Sequence, residues 1–284
     1  MPSLPVVLTF GESDASGAAG IQADQLAVAS MGCHPTSVVT RIGSAEAIED
    51  ATFLAIEPDW IEAQAQTVLG NMPVAAFKIG TLASVEQVQP IAAILADYDT
   101  VPVVLDPDLQ EAPEEDAADL AIAWRELLMP QATVVTLTLM QARRLASLVN
   151  EDDDRAASLT AAACAREITG WGAEFVLVLD AEPASPLIVN ALFDDSGMVR
   201  SFSGPRTDPG STQWAGAGAT LSAALAGLLA QGVDLTEAVH EASQYAAAAL
   251  MNAFPAGIGV MVPDRLFWAG EDEDPANGNG GDVN

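Results

Sequence analysis

The chain has 284 residues, half of them hydrophobic, enough to bury a large core without disulfide or metal staples. Asp and Glu number 40 against 10 Lys and Arg, a net charge of −30, and Lys78 is the one lysine. That balance excludes general nucleic-acid binding and adhesion to anionic lipid, which need Lys and Arg against phosphates, and no stretch reaches the roughly 20 apolar residues of a membrane span.

Such self-repulsion destabilises a fold at low salt, and concentrated cations relieve it by screening. The expectation is a halophilic protein in a salt-rich cytoplasm. Cys33 and Cys164 have no close spacing, so neither a disulfide framework nor a zinc site is expected. The N-terminus MPSLPVVLTF has no basic region before an apolar run, so no signal peptide is expected and the cytoplasm is the default.

Apolar, β-branched runs alternate with Ala-rich stretches. Val6 to Phe10 predicts a strand leading into a Gly-rich turn, and Gly20 to Met31 a helix. Ser37 to Ile42 reads as a strand, Asp59 to Met72 as a helix, Val74 to Ile79 as a strand and Val85 to Ala96 as a helix. Val101 to Leu105 is a strand ending at Asp106-Pro107, followed by a helix from Ala118 to Leu128 and a strand from Ala132 to Leu137. A helix over Ala156 to Thr169 and a strand over Phe175 to Leu179 come next. Leu187 to Phe193 and Val199 to Phe202, separated by Asp194 to Gly197, read as an edge hairpin. Helices over Ala219 to Leu229 and Leu235 to Ala253 end the pattern. Strands alternating with helices predict a three-layer α/β fold, a mostly parallel sheet with helices on both faces. Residues 1–269 read as one domain, and the acidic Gly/Asn-rich tail 270–284 as disordered.

In a parallel sheet the ligand site lies outside the carboxyl ends of the strands. Four segments stand there. Gly11 to Asp24 is rich in small residues and opens a helix, a pattern that suits either a ligand approach or a tight turn. Lys78-Ile79-Gly80-Thr81 ends a strand; a lone Lys is read as a solvated cation. Asp106 could hold magnesium near phosphates or act as a turn residue. Gly216 to Thr220 enters a helix whose free N–H groups could hold an anion, or whose small residues serve close packing. Elsewhere His34 and His240 read as structural, Trp214 as covering the helix entrance, and Pro113 to Asp116 and Glu151 to Asp154 as solvated acidic loops.

Taken in order, these pieces resemble the hydroxymethylpyrimidine/phosphomethylpyrimidine kinase family of thiamine biosynthesis, within the ribokinase-like superfamily. The matching residues are Asp14-Ala15-Ser16-Gly17 with Gly20 to Asp24, Lys78-Ile79-Gly80, Leu105-Asp106-Pro107, Leu128-Met129-Pro130, Gly216 to Ala223 and Gly257-Ile258-Gly259. The resemblance spans about residues 5 to 260 and implies a ribokinase-like fold. It implies transfer of the γ-phosphoryl group of ATP, with Mg2+, to hydroxymethylpyrimidine and then to its monophosphate. It also implies a homodimer and a small pyrimidine-like ligand. Carried over by position, Glu12, Asp14, Asp24, Ala45 and Gly80 fall at substrate-binding places. Asp106, Thr138, Gln141, Leu179, Ala217 and Thr220 fall at ATP or phosphate places, with Asp106 also at the metal. Gly216, Gly218 and Ala219 fall at the catalytic loop.

The sequence departs from the family at several of these. The family's loop ends in a cysteine, or in aspartate across the superfamily, placed to take the hydroxyl proton; here that position is Ala219. The family's Asn-x-x-Glu aligns with Thr138 to Gln141, so the acid is replaced by an amide. The family's lysine after the next strand aligns with Leu179, followed by Asp180, a carboxylate expected to repel triphosphate. A glycine has become Glu12, a second glycine Ala18, and the glutamine that reads the pyrimidine edge aligns with Ala45, beside Glu46. These changes predict kinase activity that is weak, altered or absent. The alternative is a catalytically silent paralogue, a pseudoenzyme that binds a small ligand or a protein partner. A third reading is a repurposed transferase with Glu12 or Glu46 as base.

Overall fold

Strand residues alternate between two separate cores, and that alternation sets the layers. The computed structural model describes residues 3–44, 52–108, 114–206, 213–257 and 259–270. In chain order these form β1 (Val6–Asp14), α1 (Gly20–Ser30), β2 (His34–Ser44), β3 (Thr52–Ala55), α2 (Pro58–Leu69), β4 (Val74–Ile79), α3 (Val85–Ala96) and β5 (Val103–Leu105). Then come α4 (Glu114–Ala123), β6 (Val134–Thr138), α5 (Leu139–Asn150), α6 (Asp153–Ser158), α7 (Ala161–Gly170) and β7 (Phe175–Leu179). The chain continues through β8 (Leu187–Asp194), β9 (Gly197–Pro205), β10 (Gln213–Trp214), α8 (Ala217–Ala230), α9 (Leu235–Met251), β11 (Phe254–Pro255) and β12 (Val260–Val262).

The main sheet runs β3-β2-β1-β4-β5-β6-β7-β8-β9. β2 to β7 pair in parallel, and β3, β8 and β9 add antiparallel edges. Because side chains alternate along a strand, Leu8, Phe77, Leu105 and Val135 face a core with α2, α3, α4, α5 and α7. Val7, Ala76, Val104 and Val134 face a second core with α1, α8 and α9. This is the three-layer, mostly parallel α/β architecture that the alternating sequence pattern predicts. α8 is mostly apolar and is buried continuously from Thr220 to Leu228, as expected of a helix enclosed within the fold. It packs so closely on α1 that a Cβ at Gly227 would lie 2.9 Å from the Met31 Cβ.

Several elements differ from the sequence reading. α5 was not among the predicted elements. The predicted helix Ala156 to Thr169 is two helices, because Thr160 caps α7 and Leu159 is extended. Glu151 to Asp154 are exposed, as expected, but they are not a plain loop: Glu151 closes α5 in the left-handed region, Asp152 caps α6 through the Arg155 N–H, and Asp153 bonds Ser147. Glu114 to Asp116 open α4, which passes into a wider π-type turn over Trp124–Leu128. A small sheet, β10-β12-β11, was also missed. The tail 271–284, Ala45, Glu46 and Pro113 lie outside the described residues.

Candidate active site at the carboxyl ends of the strands

The chain order reverses between β1 and β4, and the crevice at such a switch point is where open α/β sheets bind ligands. The loop leaving β1 is held by its own side chains. Asp14 accepts from the Ser16 N–H and the Ala19 N–H, each at 2.8 Å, and its own N–H donates to Gln22 at 3.0 Å. The Asp14 carboxylate therefore shapes this loop. Gly20 has φ +61, and a Cβ there would lie 2.3 Å from the Glu12 carbonyl oxygen. Ala18 is buried.

Glu12 is held in a salt bridge, with its side chain 18% exposed. Its carboxylate accepts from Arg41 Nε at 2.7 Å and from Nη2, and Arg41 is 2% exposed. The Arg41 guanidinium also lies 4.7 Å from the Phe53 ring centroid. Gly43 makes the room: a Cβ there would sit 1.8 Å from Glu12 Oε1. Sequence reasoning missed Arg41 and Gly43 because their partner is 29 or more residues away.

Lys78 overturns its reading as a solvated cation. Alternation along β4 places it on the side of α1 and α8, where it is 2% exposed. Its Nζ lies 2.8 Å from Asp24 Oδ1 and 3.5 Å from Asp106 Oδ2. Burial alone would push the ammonium down, but the two carboxylates push harder, and Lys78 is held above its ordinary value. Burial raises the Asp24 carboxyl, despite Lys78. Asp24, 1% exposed, is thus an ion-pair partner of Lys78. Ser222 of α8 donates to Asp106 Oδ2 at 2.7 Å, so β4, β5, α1 and α8 meet in one polar knot. Gly80 lies against it; a Cβ there would be 3.2 Å from both Lys78 Nζ and the Phe10 carbonyl oxygen.

Gly216 starts α8 at φ +71, with no side-chain cap and no acid in the first turn. A Cβ at Gly216 would lie 1.9 Å from the Ala18 carbonyl oxygen, so glycine is required by backbone and space alike. The N–H groups of Ala217, Gly218 and Ala219 lie at the positive end of the helix dipole. The Thr220 hydroxyl turns back onto the Gly216 carbonyl at 2.7 Å. Ala219 presents a methyl group, with no atom that can accept a proton. Trp214 precedes this loop in β10, paired with Met261 of β12.

Beside this helix end opens a cleft of about 630 Å³, lined by Thr138, Leu179, Phe202, Ala217, Gly218 and His240 among others. Leu179 is an apolar wall. Asp180 does not stand as an unpaired repelling charge: Arg206 grips it through two bonds of 3.0 and 2.6 Å. That grip raises the Arg206 guanidinium above its ordinary value. His240 stacks on Phe202 with centroids 5.6 Å apart, so it borders the cleft instead of serving only the interior. Gln141 has a local structural role. With Thr138 it forms a capping box, each accepting from the other's backbone N–H at 2.9 to 3.1 Å. The T-x-x-Q spacing ahead of an apolar run was the signal that could have found both the cap and α5.

Among the described residues no three His, Cys, Asp or Glu side chains cluster as a metal site. Among the described residues Asp106 Oδ1 has no hydrogen-bond partner, which fits a magnesium held by one carboxylate and by phosphate oxygens. The apolar cleft ending at an uncapped helix fits a nucleotide.

Residues 14–264 match the phosphomethylpyrimidine kinase family. The chain is 32% identical over 271 residues to the hydroxymethylpyrimidine/phosphomethylpyrimidine kinase of Streptomyces coelicolor, covering 94% of this chain and 96% of that one. The pyridoxal kinase of Bacillus subtilis, solved as an ADP complex, matches with a TM-score of 0.81 at 27% identity, covering 93% of this chain and 98% of that one. The phosphomethylpyrimidine kinase of Clostridium difficile matches with a TM-score of 0.65 at 26% identity, covering 84% and 98%. With its switch-point crevice and helix-end loop inside the matched span, the chain belongs to the phosphomethylpyrimidine kinase family.

Proposed function

We propose that the chain binds a nucleoside triphosphate in the cleft and a small hydroxymethylpyrimidine at the β1–β4 crevice, and that phosphoryl transfer between them is slow or absent. One observation carries this reading: the cleft ends on the uncapped first turn of α8, where Ala219 stands. Transfer forms a bond from the acceptor hydroxyl oxygen to the γ-phosphorus and breaks the bond to ADP. The hydroxyl proton then needs an acceptor, and a methyl group is none. General-base assistance is worth about 100- to 10,000-fold. The α8 N–H groups would hold the transferring phosphoryl group, and magnesium on Asp106 would neutralise phosphate charge.

The Glu12–Arg41 pair favours a second reading, a silent paralogue that binds a ligand or a protein partner. It places a charged pair beside the crevice where a neutral pyrimidine would enter.

The proposal includes a salt-rich cytoplasm and a homodimer, the first resting on the net charge of −30. The test is turnover: purified protein in high KCl with magnesium-ATP and hydroxymethylpyrimidine or its monophosphate, followed by pyrimidine phosphate formation. Slow or undetectable transfer together with measurable ATP binding supports the reading; rapid transfer by the wild type overturns it. Unfolding free energy that does not rise with KCl sinks the salt expectation, and light scattering decides the dimer.

A further inference from the structure

Arg265 is one of only 10 cationic residues in the chain, and it is 2% exposed. Buried cations are normally paired with a carboxylate. Among the described residues Arg265 pairs with none. Its Nε donates to the Thr220 hydroxyl at 2.9 Å, and its Nη2 to the Ala18 carbonyl at 2.6 Å and the Gly216 carbonyl at 3.4 Å. Its Nη1 has no acceptor among the described residues. Nor is Nη1 sealed in, because the enclosed atoms without partners are Asp24 Oδ2 and Trp124 Nε1.

The chain takes trouble to hold this side chain. β10, just before Gly216, pairs with β12, just before Arg265, and the Ala215 N–H donates to the Met261 carbonyl at 3.1 Å. Ser30 and Tyr245 both donate to the Arg265 carbonyl at 2.8 Å. The guanidinium therefore lies along the first turn of α8, whose dipole is already positive and whose first turn holds no acid. Two positive features side by side repel unless an anion completes them. Burial pulls the guanidinium below its ordinary value, although Tyr245 and the carboxylates of Asp24 and Asp14 act against that through space.

Resting on the nucleotide reading above, we propose that Arg265 is a positioning residue for the phosphate chain of a nucleoside di- or triphosphate. It holds Gly216 against the first loop through Ala18 and adds a fixed positive charge behind the α8 N–H groups. Its reach to both loops makes the phosphate side of the site depend on it, while the apolar cleft wall does not.

The test is calorimetric binding of pyrophosphate, ADP and adenosine to wild type, Arg265→Gln and Arg265→Lys at one KCl concentration. Wild type binds pyrophosphate, and binds ADP more tightly than adenosine. Arg265→Gln weakens pyrophosphate and ADP by about tenfold or more, as expected when a fixed charge behind the α8 N–H groups is lost, and leaves adenosine within about twofold. Arg265→Lys retains much of the pyrophosphate affinity, because the charge remains. Unchanged ADP binding in Arg265→Gln, or a parallel loss of adenosine, overturns the proposal by reducing Arg265 to a packing group. If Arg265→Gln does not fold, Arg265→Lys decides, and a pyrophosphate loss beyond about tenfold there counts against a charge role. Wild type that binds pyrophosphate but no ADP leaves the anion site standing and defeats the nucleotide reading. Wild type that binds neither defeats both.

Discussion

The two flanks of the crevice treat substitution differently from the helix end between them. On the β1–β2 flank, Glu12 arrives together with Arg41, which neutralises it, and Gly43, which makes room for it. On the β6–β9 flank, Arg206 grips Asp180, and Gln141 forms a cap with Thr138. At the start of α8, Ala219 stands alone, with no compensating acid on its own first turn. Changes that introduce a charge or an amide must be satisfied where they are buried, so partners accompany them. The methyl group of Ala219 leaves nothing to satisfy, and in the proposal above its effect falls on chemistry alone. The flanks thus test stability, and Ala219 tests turnover.

The largest expected effect is at the polar knot below both flanks. Lys78→Met strands Asp24 and Asp106 near one another, and the fold should lose about 3–5 kcal/mol in denaturant unfolding. Asp24→Asn with Lys78→Met should recover a large part, since no uncompensated charge remains beside α1. The pH dependence has a definite sign. The Lys78 ammonium is held above 10.5, so the folded state keeps a proton that the unfolded state releases there. Its stability contribution is full below 10.5 and is lost as pH rises through the folded value, at a slope of about 1.4 kcal/mol per pH unit. Lys78→Met should remove one proton from that alkaline slope; an unchanged slope breaks the assignment.

Next is Ala219→Cys. Placing a thiol at the helix end should raise pyrimidine phosphate formation by about 100-fold, because the thiol sits at the positive end of α8 where its pKa falls. Stability should barely change. No activity in either protein would move the defect to the Glu12 flank and favour the binding reading.

That flank is the third test. Glu12→Gln leaves the buried Arg41 short of its counter-charge and should cost about 2 kcal/mol, discounted because Glu12 keeps some solvent contact. Removing both charges in Glu12→Gly/Arg41→Met should cost less than either single change. If the double variant also gains affinity for hydroxymethylpyrimidine, the pair is what narrows the crevice.

How far these features were legible in the sequence depends on how local their causes are. β4, α3 and β7 lie where the apolar runs Val74–Ile79, Val85–Ala96 and Phe175–Leu179 place them, because period and punctuation are written within each segment. α5 was missed because Arg143 and Arg144 interrupt its apolar face, although Thr138 and Gln141 announced its start. The burial of Lys78 was illegible, since it depends on Asp24, 54 residues earlier. The loop Gly216 to Thr220 stood out by its glycines, but Arg265 did not, because its role comes from a contact with Thr220 45 residues away.

The smallest effect sharpens the contrast from the exposed side. Arg206 and Asp180 form a two-bond pair near the cleft mouth, and both remain about a third exposed. Asp180→Asn should change ADP affinity by less than about threefold, because Arg206 already offsets that carboxylate and stays anchored by the Ser185 and Leu187 carbonyls. Arg206→Ala is the asymmetric partner: it unmasks Asp180 beside the phosphates and should weaken ADP by about three- to tenfold at low salt. Raising KCl should erase most of that loss, since an exposed charge is screened over about 10 Å at 0.1 M ionic strength. The loss in Arg265→Gln should persist at the same KCl, because a nearly sealed guanidinium is screened far less. Equal salt sensitivity in the two variants would mean that depth does not separate the rim of this site from its floor.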